Sequence, residues 1–333
     1  MPGKHSFGKE AMQKPMNPSL SFTLSECYTN MGVDYYYNVQ QQFHLDFRFN
    51  NKSNPAFNER LTRYFKVITP YMPFLNNTSL KINASNSFPH SAGIASSASS
   101  FGALALNLCS IEEAVSGAVY DRDEFFRKAS FLARLGSGSA ARSVYGGYVL
   151  WGATSIDQHA SDEVAVPLSA EINQVFHHLR DSILIVSSAP KPMSSSAGHK
   201  LMTDHPYRKA RVGQANQNIE QIIKAMQNGK MNDFIEIAEA EALSLHALIQ
   251  SSSSPVFLVK PNTIAIINHI WNVRNTTGLP VGFTLDAGPN VHVIYPVTIM
   301  DKVKAFIEKD LRQYCENGAI IHDKTGGGPV KNE

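Results

Sequence analysis

The sequence predicts an α+β protein of two domains, and three observations carry that prediction. Its 333 residues are enough for two units of about 150 residues, each burying its own core. Segments with a two-residue apolar period and segments with a helical period follow one another without the strict alternation of a doubly wound sheet. A polar stretch, DQHASDE at 157–163, interrupts them near the middle, which places the division at 1–160 and 161–333.

In the first half, SLSFTLSE at 19–26 and, beyond a tyrosine-rich run, HLDFRFN at 44–50 alternate apolar and polar residues. They predict an antiparallel pair with one wet face. Phe57, Leu61, Tyr64 and Phe65 fall at helical spacing within 55–73, and SLKINASNSF at 79–88 returns to alternation, so a helix leads into a strand. After Pro89, Ile94, Ala98, Phe101, Ala105 and Leu108 follow at steps of four, three, four and three, an apolar helical stripe whose small residues let it lie close on a sheet. A helix over 122–135 and a strand in GGYVLWG at 146–152 complete this half.

The second half holds a short buried strand in DSILIVSS at 181–188. Helical periodicity then runs over 206–250 through Ile219, Ile222, Ile223, Met226, Phe234, Ala238 and Leu245. VGFTLDAG and VHVIYP, within 281–296, are apolar runs split by Gly288 and Pro289, the chemistry of a hairpin.

Thirty Lys and Arg against 28 Asp and Glu leave a net charge of +2. So small a charge supports nucleic-acid binding only through a local basic stripe. The one basic cluster, Lys200, Arg208, Lys209 and Arg211, carries no nucleic-acid signature and reads as a solvated helix end. No run approaches the roughly 18 apolar residues of a membrane span, and MPGKHSFGKE at the start lacks an apolar signal core. A soluble, cytoplasmic protein with neither nucleic-acid nor membrane partner is expected. Cys27, Cys109 and Cys315 are odd in number, far apart and without a CxxC pair, so free thiols are expected. His177 and His178, adjacent on a predicted helix, point about 100° apart and cannot share a metal.

Three segments carry the residue types of a reaction site. Pro89-His90-Ser91-Ala92-Gly93-Ile94-Ala95-Ser96-Ser97 joins a strand to a helix start. Unpaired N–H groups, small side chains and the positive end of the helix dipole suit it to a phosphate, although the same residues also permit close helix packing. It lacks the Gly-Lys-Ser/Thr ending of a Walker loop. Gly136-Ser137-Gly138-Ser139-Ala140-Ala141-Arg142-Ser143 also reads as preceding a helix, with Ser139 as N-cap and Arg142 in the first turn. Arg142 is then either a bidentate anchor for a substrate anion or a solvated side chain on a capped helix. Asp286, closing an apolar strand before Ala287-Gly288-Pro289-Asn290, is either a carboxylate poised to steer a hydroxyl proton or a turn-former.

In their order and residues the three motifs resemble the GHMP superfamily of small-molecule kinases and, within it, the diphosphomevalonate decarboxylase family. NSFPHSAGIASSAS is similar to that family's N-N-F-P-x-x-x-G-L-A-S-S loop, GSGSAARSVYGG to its G-S-G-S-A-C-R-S-x-x-G-G, and FTLDAGPN to its T-x-D-A-G-P-N. With NPSLSFTL at 17–24 they span nearly the whole chain. The resemblance implies an N-terminal domain like domain 2 of ribosomal protein S5, a ferredoxin-like C-terminal domain, and an active site between them. It implies ATP and Mg²⁺ as cofactors, with Gly93, Ser96 and Ser97 on the ATP phosphates and Ser97 reaching Mg²⁺ through them. Lys9, Asn17, Ser137, Ser139 and Arg142 would hold mevalonate diphosphate, and Asp286 with Arg142 would be the catalytic pair. A homodimer in isoprenoid biosynthesis follows from the same resemblance.

Two departures from the family stand out. The family opens with a strand ending K-Y-W-G-K, and here Ser6-Phe7-Gly8-Lys9 remains, with His5 at the place of the first Lys and no residues for the strand before it. A shortened start and a sheet with one open edge are expected. SSSAGHKLM at 194–202 stands where the family has S-R-x-G-M, so Ser196 replaces an anion-binding Arg, and His199 or Lys200 is the nearest substitute. The lost strand and Lys leave a non-catalytic ligand-binding protein as an alternative, and the superfamily leaves a kinase that stops at the phosphoester and a decarboxylase of the monophosphate.

Overall fold

The computed structural model describes residues 14–40, 42–89, 94–189 and 201–331. The first half runs β1 (Ser19–Phe22), β2 (Thr29–Tyr37), β3 (His44–Phe49), β4 (Lys52–Ser53), α1 (Pro55–Ile68), β5 (Thr78–Asn86), α2 (Ser96–Ser116), α3 (Arg122–Gly136) and β6 (Tyr148–Trp151). The second runs β7 (Val166–Pro167), β8 (Leu179–Leu184), α4 (Arg208–Gln227), α5 (Met231–Gln250), α6 (Pro261–Thr277), β9 (Gly282–Leu285), β10 (Val291–Pro296), α7 (Met300–Phe306) and β11 (Ile320–Lys324). Local chemistry sets several of these boundaries. Asn54 Oδ1 accepts the Phe57 N–H at 3.1 Å ahead of Pro55 in α1, and Asp121 and Glu124 form a reciprocal capping box on α3.

One sheet has the order β2–β5–β3–β4, with β2 antiparallel and β3 parallel to β5. Its core joins Phe47 to Leu61, Tyr64 and Phe65 of α1 and to Phe101 and Leu104 of α2. A second sheet, β11–β8–β10–β9, is antiparallel throughout. One of its faces packs Phe283, Val293 and Tyr295 against Ile266 and Ile270 of α6. Between the two lies a short sheet, β1–β6–β7.

The expected pairing of 19–26 with 44–50 is not formed. β1 pairs with β6, Ser19 opposite Trp151, while β3 lies parallel to β5, and the tyrosine-rich run is part of β2. Alternation marks which residues share a face, but the partner strand is chosen by contacts far along the chain. His177 and His178 also differ from expectation: they follow a 3₁₀ turn, Gln174–Phe176, rather than sitting on a helix, and both are exposed.

The short sheet is tied to the second sheet from both ends of the chain. Asp323 on β11 accepts the N–H groups of Ser25 and Glu26 on Oδ1, at 2.8 and 2.9 Å, and of Cys27 on Oδ2, at 2.8 Å. Beyond β11 the glycine-rich tail passes over the turn into β6, where a Cβ on Gly146 would lie 2.1 Å from the Gly327 carbonyl oxygen. Among the described residues, Cys109 and Cys315 are buried free thiols and Cys27 a half-buried one, and no helix is long and apolar enough to cross a membrane.

Candidate active site

Strand β1, the turn after α3, helices α4 and α5, and the β9–β10 hairpin enclose a cleft of about 450 Å³. Arg142 reaches it because α3 stops at Gly136, where a side chain would meet the Phe101 ring at 2.1 Å. The chain then tightens into a 3₁₀ turn, Gly138–Arg142, anchored by the buried Ala140 and Ala141. Arg142 Nη1 donates to Ser19 Oγ at 2.6 Å, and the guanidinium lies over the Trp151 ring at 5.9 Å. Burial lowers the Arg142 pKa to about 10, opposed by the attraction of Asp286, so the side chain is a cation near neutrality.

Asp286 is placed by the packing of β9 on α5. Gly282 has no side chain, and a Cβ there would sit 2.3 Å from Ile235 Cγ2, so strand and helix lie flush. Glu239 of α5, buried, accepts from the Phe283 N–H at 3.3 Å, from Trp271 Nε1 at 2.9 Å and from Arg274 at 2.6 and 2.9 Å. The turn that follows is held through its main chain. Gly288 N–H and His246 Nε2–H donate to the Asp286 carbonyl at 2.7 and 3.0 Å, and Thr263 Oγ1–H donates to that of Pro289 at 2.6 Å. Burial lowers the His246 pKa against the pull of Asp286, in keeping with a neutral ring that donates from Nε2. With its backbone fixed in this way, half-buried Asp286 lines the cleft together with Arg142.

Asn17 joins them in the cleft wall, its Nδ2 donating to the Pro18 carbonyl at 2.9 Å. Gly152, at φ 103°, lets this segment approach β6, since a Cβ would lie 2.7 Å from Pro18 Cα. The expected phosphate-binding residues stand beside the cleft rather than in its lining. Ser96 and Ser97 open α2, whose N-terminus has no side-chain cap, and Ile94 and Ala95 just before them line the cleft. Ser97 Oγ lies 3.3 Å from Ser137 Oγ, which brings the first two motifs together.

Ser139 is not the N-cap of a helix. It lies inside the 3₁₀ turn, Ser137 occupies the cap position without a side-chain cap bond, and no α-helix follows before β6. The segment 136–143 ends one helix instead of starting another, because β6 follows too soon for a further helical stretch. Lys9, Gly93, Ser196, His199 and Lys200 lie outside the described residues.

Sequence reasoning passed over four polar residues of the cleft: Asp181, Asn218, Glu241 and His292. Glu241 accepts from Asn218 Nδ2 at 2.6 Å and is paired with Arg211, which is thereby removed from the predicted solvated cluster. Asp181 and His292 are bonded at 2.7 Å. His292 is a lone ionisable residue within an otherwise apolar strand, whereas Asp181 lies between Arg180 and Ser182, and neither shows its partner until the register is known.

Comparison with known proteins gives the same family as the motifs. The profile of the diphosphomevalonate decarboxylase-like N-terminal domain matches residues 4–162, and that of the mevalonate 5-diphosphate decarboxylase C-terminal domain matches residues 182–329. The chain belongs to the mevalonate diphosphate decarboxylase family.

Relatives within the family include the diphosphomevalonate decarboxylases of Candida albicans, 30% identical over 245 residues, and Saccharomyces cerevisiae, 30% identical over 242 residues. Each match covers 72% of this chain and 64% and 58% of the two relatives, under two thirds of their length. Mevalonate diphosphate decarboxylase from Staphylococcus aureus superposes with a TM-score of 0.80 at 26% identity, covering 96% of this chain and 91% of that one. MDDEF in complex with MVAPP, AMPPCP and magnesium superposes at 0.79 with 25% identity and the same coverage. The two-domain GHMP-kinase-like fold is therefore that of the family.

Proposed function

We propose that the protein catalyses the ATP-dependent decarboxylation of mevalonate 5-diphosphate to isopentenyl diphosphate, releasing ADP, phosphate and CO₂. The observation that carries this reading is the placement of Arg142 and Asp286 in one cleft, within a chain of this family. In the proposed roles, Asp286 accepts the proton of the C3 hydroxyl as that oxygen takes the phosphoryl group. Phosphorylation makes a poor leaving group a good one, and loss of phosphate and CO₂ follows. Arg142, with Ser137 and Ser139, holds the substrate's carboxylate and diphosphate, and Asn17 and Lys9 complete the substrate side.

The residues fit ATP and Mg²⁺. An uncapped helix start with two hydroxyls, at Ser96 and Ser97, suits phosphate oxygens. Among the described residues no cluster of His, Cys, Asp or Glu could hold a metal ion by itself. A divalent cation would then be held through the phosphates, which Gly93, Ser96 and Ser97 would bind, with Ser97 reaching the metal through them. Bound there, it would neutralise phosphate charge. The reading extends to a division at 1–160 and 161–333, a cytoplasmic location and a homodimer.

The test is incubation with ATP, Mg²⁺ and mevalonate 5-diphosphate. Equal amounts of ADP, phosphate and CO₂ are expected. ADP without CO₂ would instead assign a kinase that stops at the phosphoester, turnover restricted to the monophosphate would reassign the substrate, and binding without turnover would mark a non-catalytic protein.

A further inference from the structure

The face of the second sheet opposite α6 carries a row of ionisable side chains, of which the proposed reaction uses Asp286 alone. The register sets them out. Asp323 of β11 is directly opposite Asp181 of β8, and His292 of β10 is opposite Ile183, two residues from Asp181 on the same face. Across the hairpin His292 is opposite Thr284, so that Asp286, two residues further, is its diagonal neighbour, roughly 7–8 Å away between Cα atoms. His292 therefore stands between two carboxylates in the wall of the cleft.

The three acids are not equivalent. Asp323 is engaged by the N–H groups of Ser25, Glu26 and Cys27. Asp181, 2% exposed, bonds His292 Nδ1 through Oδ2 at 2.7 Å, while its Oδ1 is buried without a partner among the described residues. Asp286 faces the cleft. Arg180 and Lys324, adjacent along the strands, alternate to the other face, and among the described residues that line the cleft Arg142 is the other cationic side chain. A buried carboxylate with one oxygen unpaired is costly unless a positive charge stands beside it, and His292 is the group in that place.

We propose that His292 is a positioning residue for Asp286, a cation fixed by Asp181 behind the reacting carboxylate that keeps it turned toward the substrate. Burial favours the neutral ring, but the charge of Asp181, its hydrogen bond, and the fields of Asp286 and Asp323 outweigh it and raise the His292 pKa above its ordinary value. The imidazolium is thus the form that serves turnover, and turnover falls as the pH rises through the ring's titration.

The kinetic arm of the test rests on the decarboxylase reading, and the titration arm does not. Ring NMR of the whole protein follows His292 against pH. A midpoint above about 6.5 is expected in the wild type, a lower one in Asp286→Asn, and a lower one still in Asp181→Asn, where burial is opposed only by the fields of Asp286 and Asp323. A His292 midpoint unchanged in Asp286→Asn would overturn the proposal whatever the activity. In kinetics, His292→Gln should lower kcat on the order of tenfold with little change in KM and lose the alkaline fall in kcat that follows His292, whereas His292→Lys should recover turnover and extend it to higher pH. If folded His292→Gln keeps the wild-type pH profile, or His292→Lys is no better than Gln, the positioning role is refuted. A wild type that titrates as expected but makes no CO₂ would remove the decarboxylase reading while leaving the coupling between the two residues established.

Discussion

Asp323 Oδ1 accepts the main-chain N–H of Ser25 at 2.8 Å across a separation of 298 residues. The same carboxylate takes the N–H groups of Glu26 and Cys27, so a single side chain satisfies three consecutive donors where β1 leaves the cleft. Asp323→Asn keeps the size of the group but removes its charge and replaces one acceptor by an NH₂ that faces those donors. Bonds to charged groups contribute about 1.5–3 kcal/mol each, so a loss of about 3 kcal/mol in urea denaturation is expected. An unchanged midpoint would show that the clamp adds nothing to stability.

Asp286→Asn should lower turnover by a factor on the order of 10² or more while leaving KM near that of the wild type. Arg142→Lys keeps the charge but loses the planar fork and its bond to Ser19, so both affinity and rate should suffer. Steady-state kinetics beside thermal melting separate these outcomes. If Asp286→Asn lost activity only in proportion to its unfolded fraction, the carboxylate would be a turn-former and nothing more.

Buried Glu239 pairs with half-buried Arg274, and its other bonds reach Trp271 and Phe283. Removing one partner strands the other, and Arg274→Met should cost about 3–5 kcal/mol in chemical denaturation. Because Glu239 also seats β9, the variant should lose turnover as well as stability. Changing both partners to apolar residues of similar volume should restore much of the stability.

Gly146 and Gly147 are neighbours with different reasons to be glycine. A Cβ on Gly146 would meet the Gly327 carbonyl at 2.1 Å, whereas Gly147 has open space around it but a φ of +67°. Gly146→Ala must displace the C-terminal tail, at about 1–3 kcal/mol, and Gly147→Ala carries only the left-handed backbone cost of about 1 kcal/mol. Melting curves should rank Gly146→Ala as the less stable, and limited proteolysis should find its tail more accessible.

Stability should respond to pH through His292. Its pKa is raised in the folded state, so its contribution is complete below the unfolded value of about 6.5 and is lost as the pH rises through the folded one. His246 and His322 are shifted downward by burial and act in the opposite sense, losing stability as the pH falls. The difference in stability between the wild type and His292→Gln isolates the first effect. It should be larger near about pH 6 than near about pH 9, and a difference independent of pH would contradict the charged ring.

Local sequence signals foretold much of this architecture. The stripe from Ala98 to Leu108 became the buried face of α2, and the split at Gly288 and Pro289 became the β9–β10 hairpin. The pairing of β1 was not legible, because Ser19 finds Trp151 through contacts that alternation cannot encode. Ser139 was misplaced for a related reason: a serine among glycines can begin a turn or a helix, and the strand that follows decides which. Arg142 and Asp286 stood out because each is a charged residue in a small-residue turn. Asp181 and His292 did not, because an ionisable residue inside a strand shows its meaning only when the register reveals its partner.

The clamp at Asp323 and the tail over Gly146 make the seam between β1 and β11 the last part of the molecule that synthesis can complete. A chain emerging from the ribosome has all of the β2–β5–β3–β4 sheet and its helices long before residue 320, and that layer has its own apolar core. β1 can pair with β6 at that stage, but the donors of Ser25, Glu26 and Cys27 have no carboxylate until β11 arrives. Contacts that close so long a loop form slowly. A message that stops short of β11 therefore yields a product with a well-formed first layer and a segment after β1 that has no anchor.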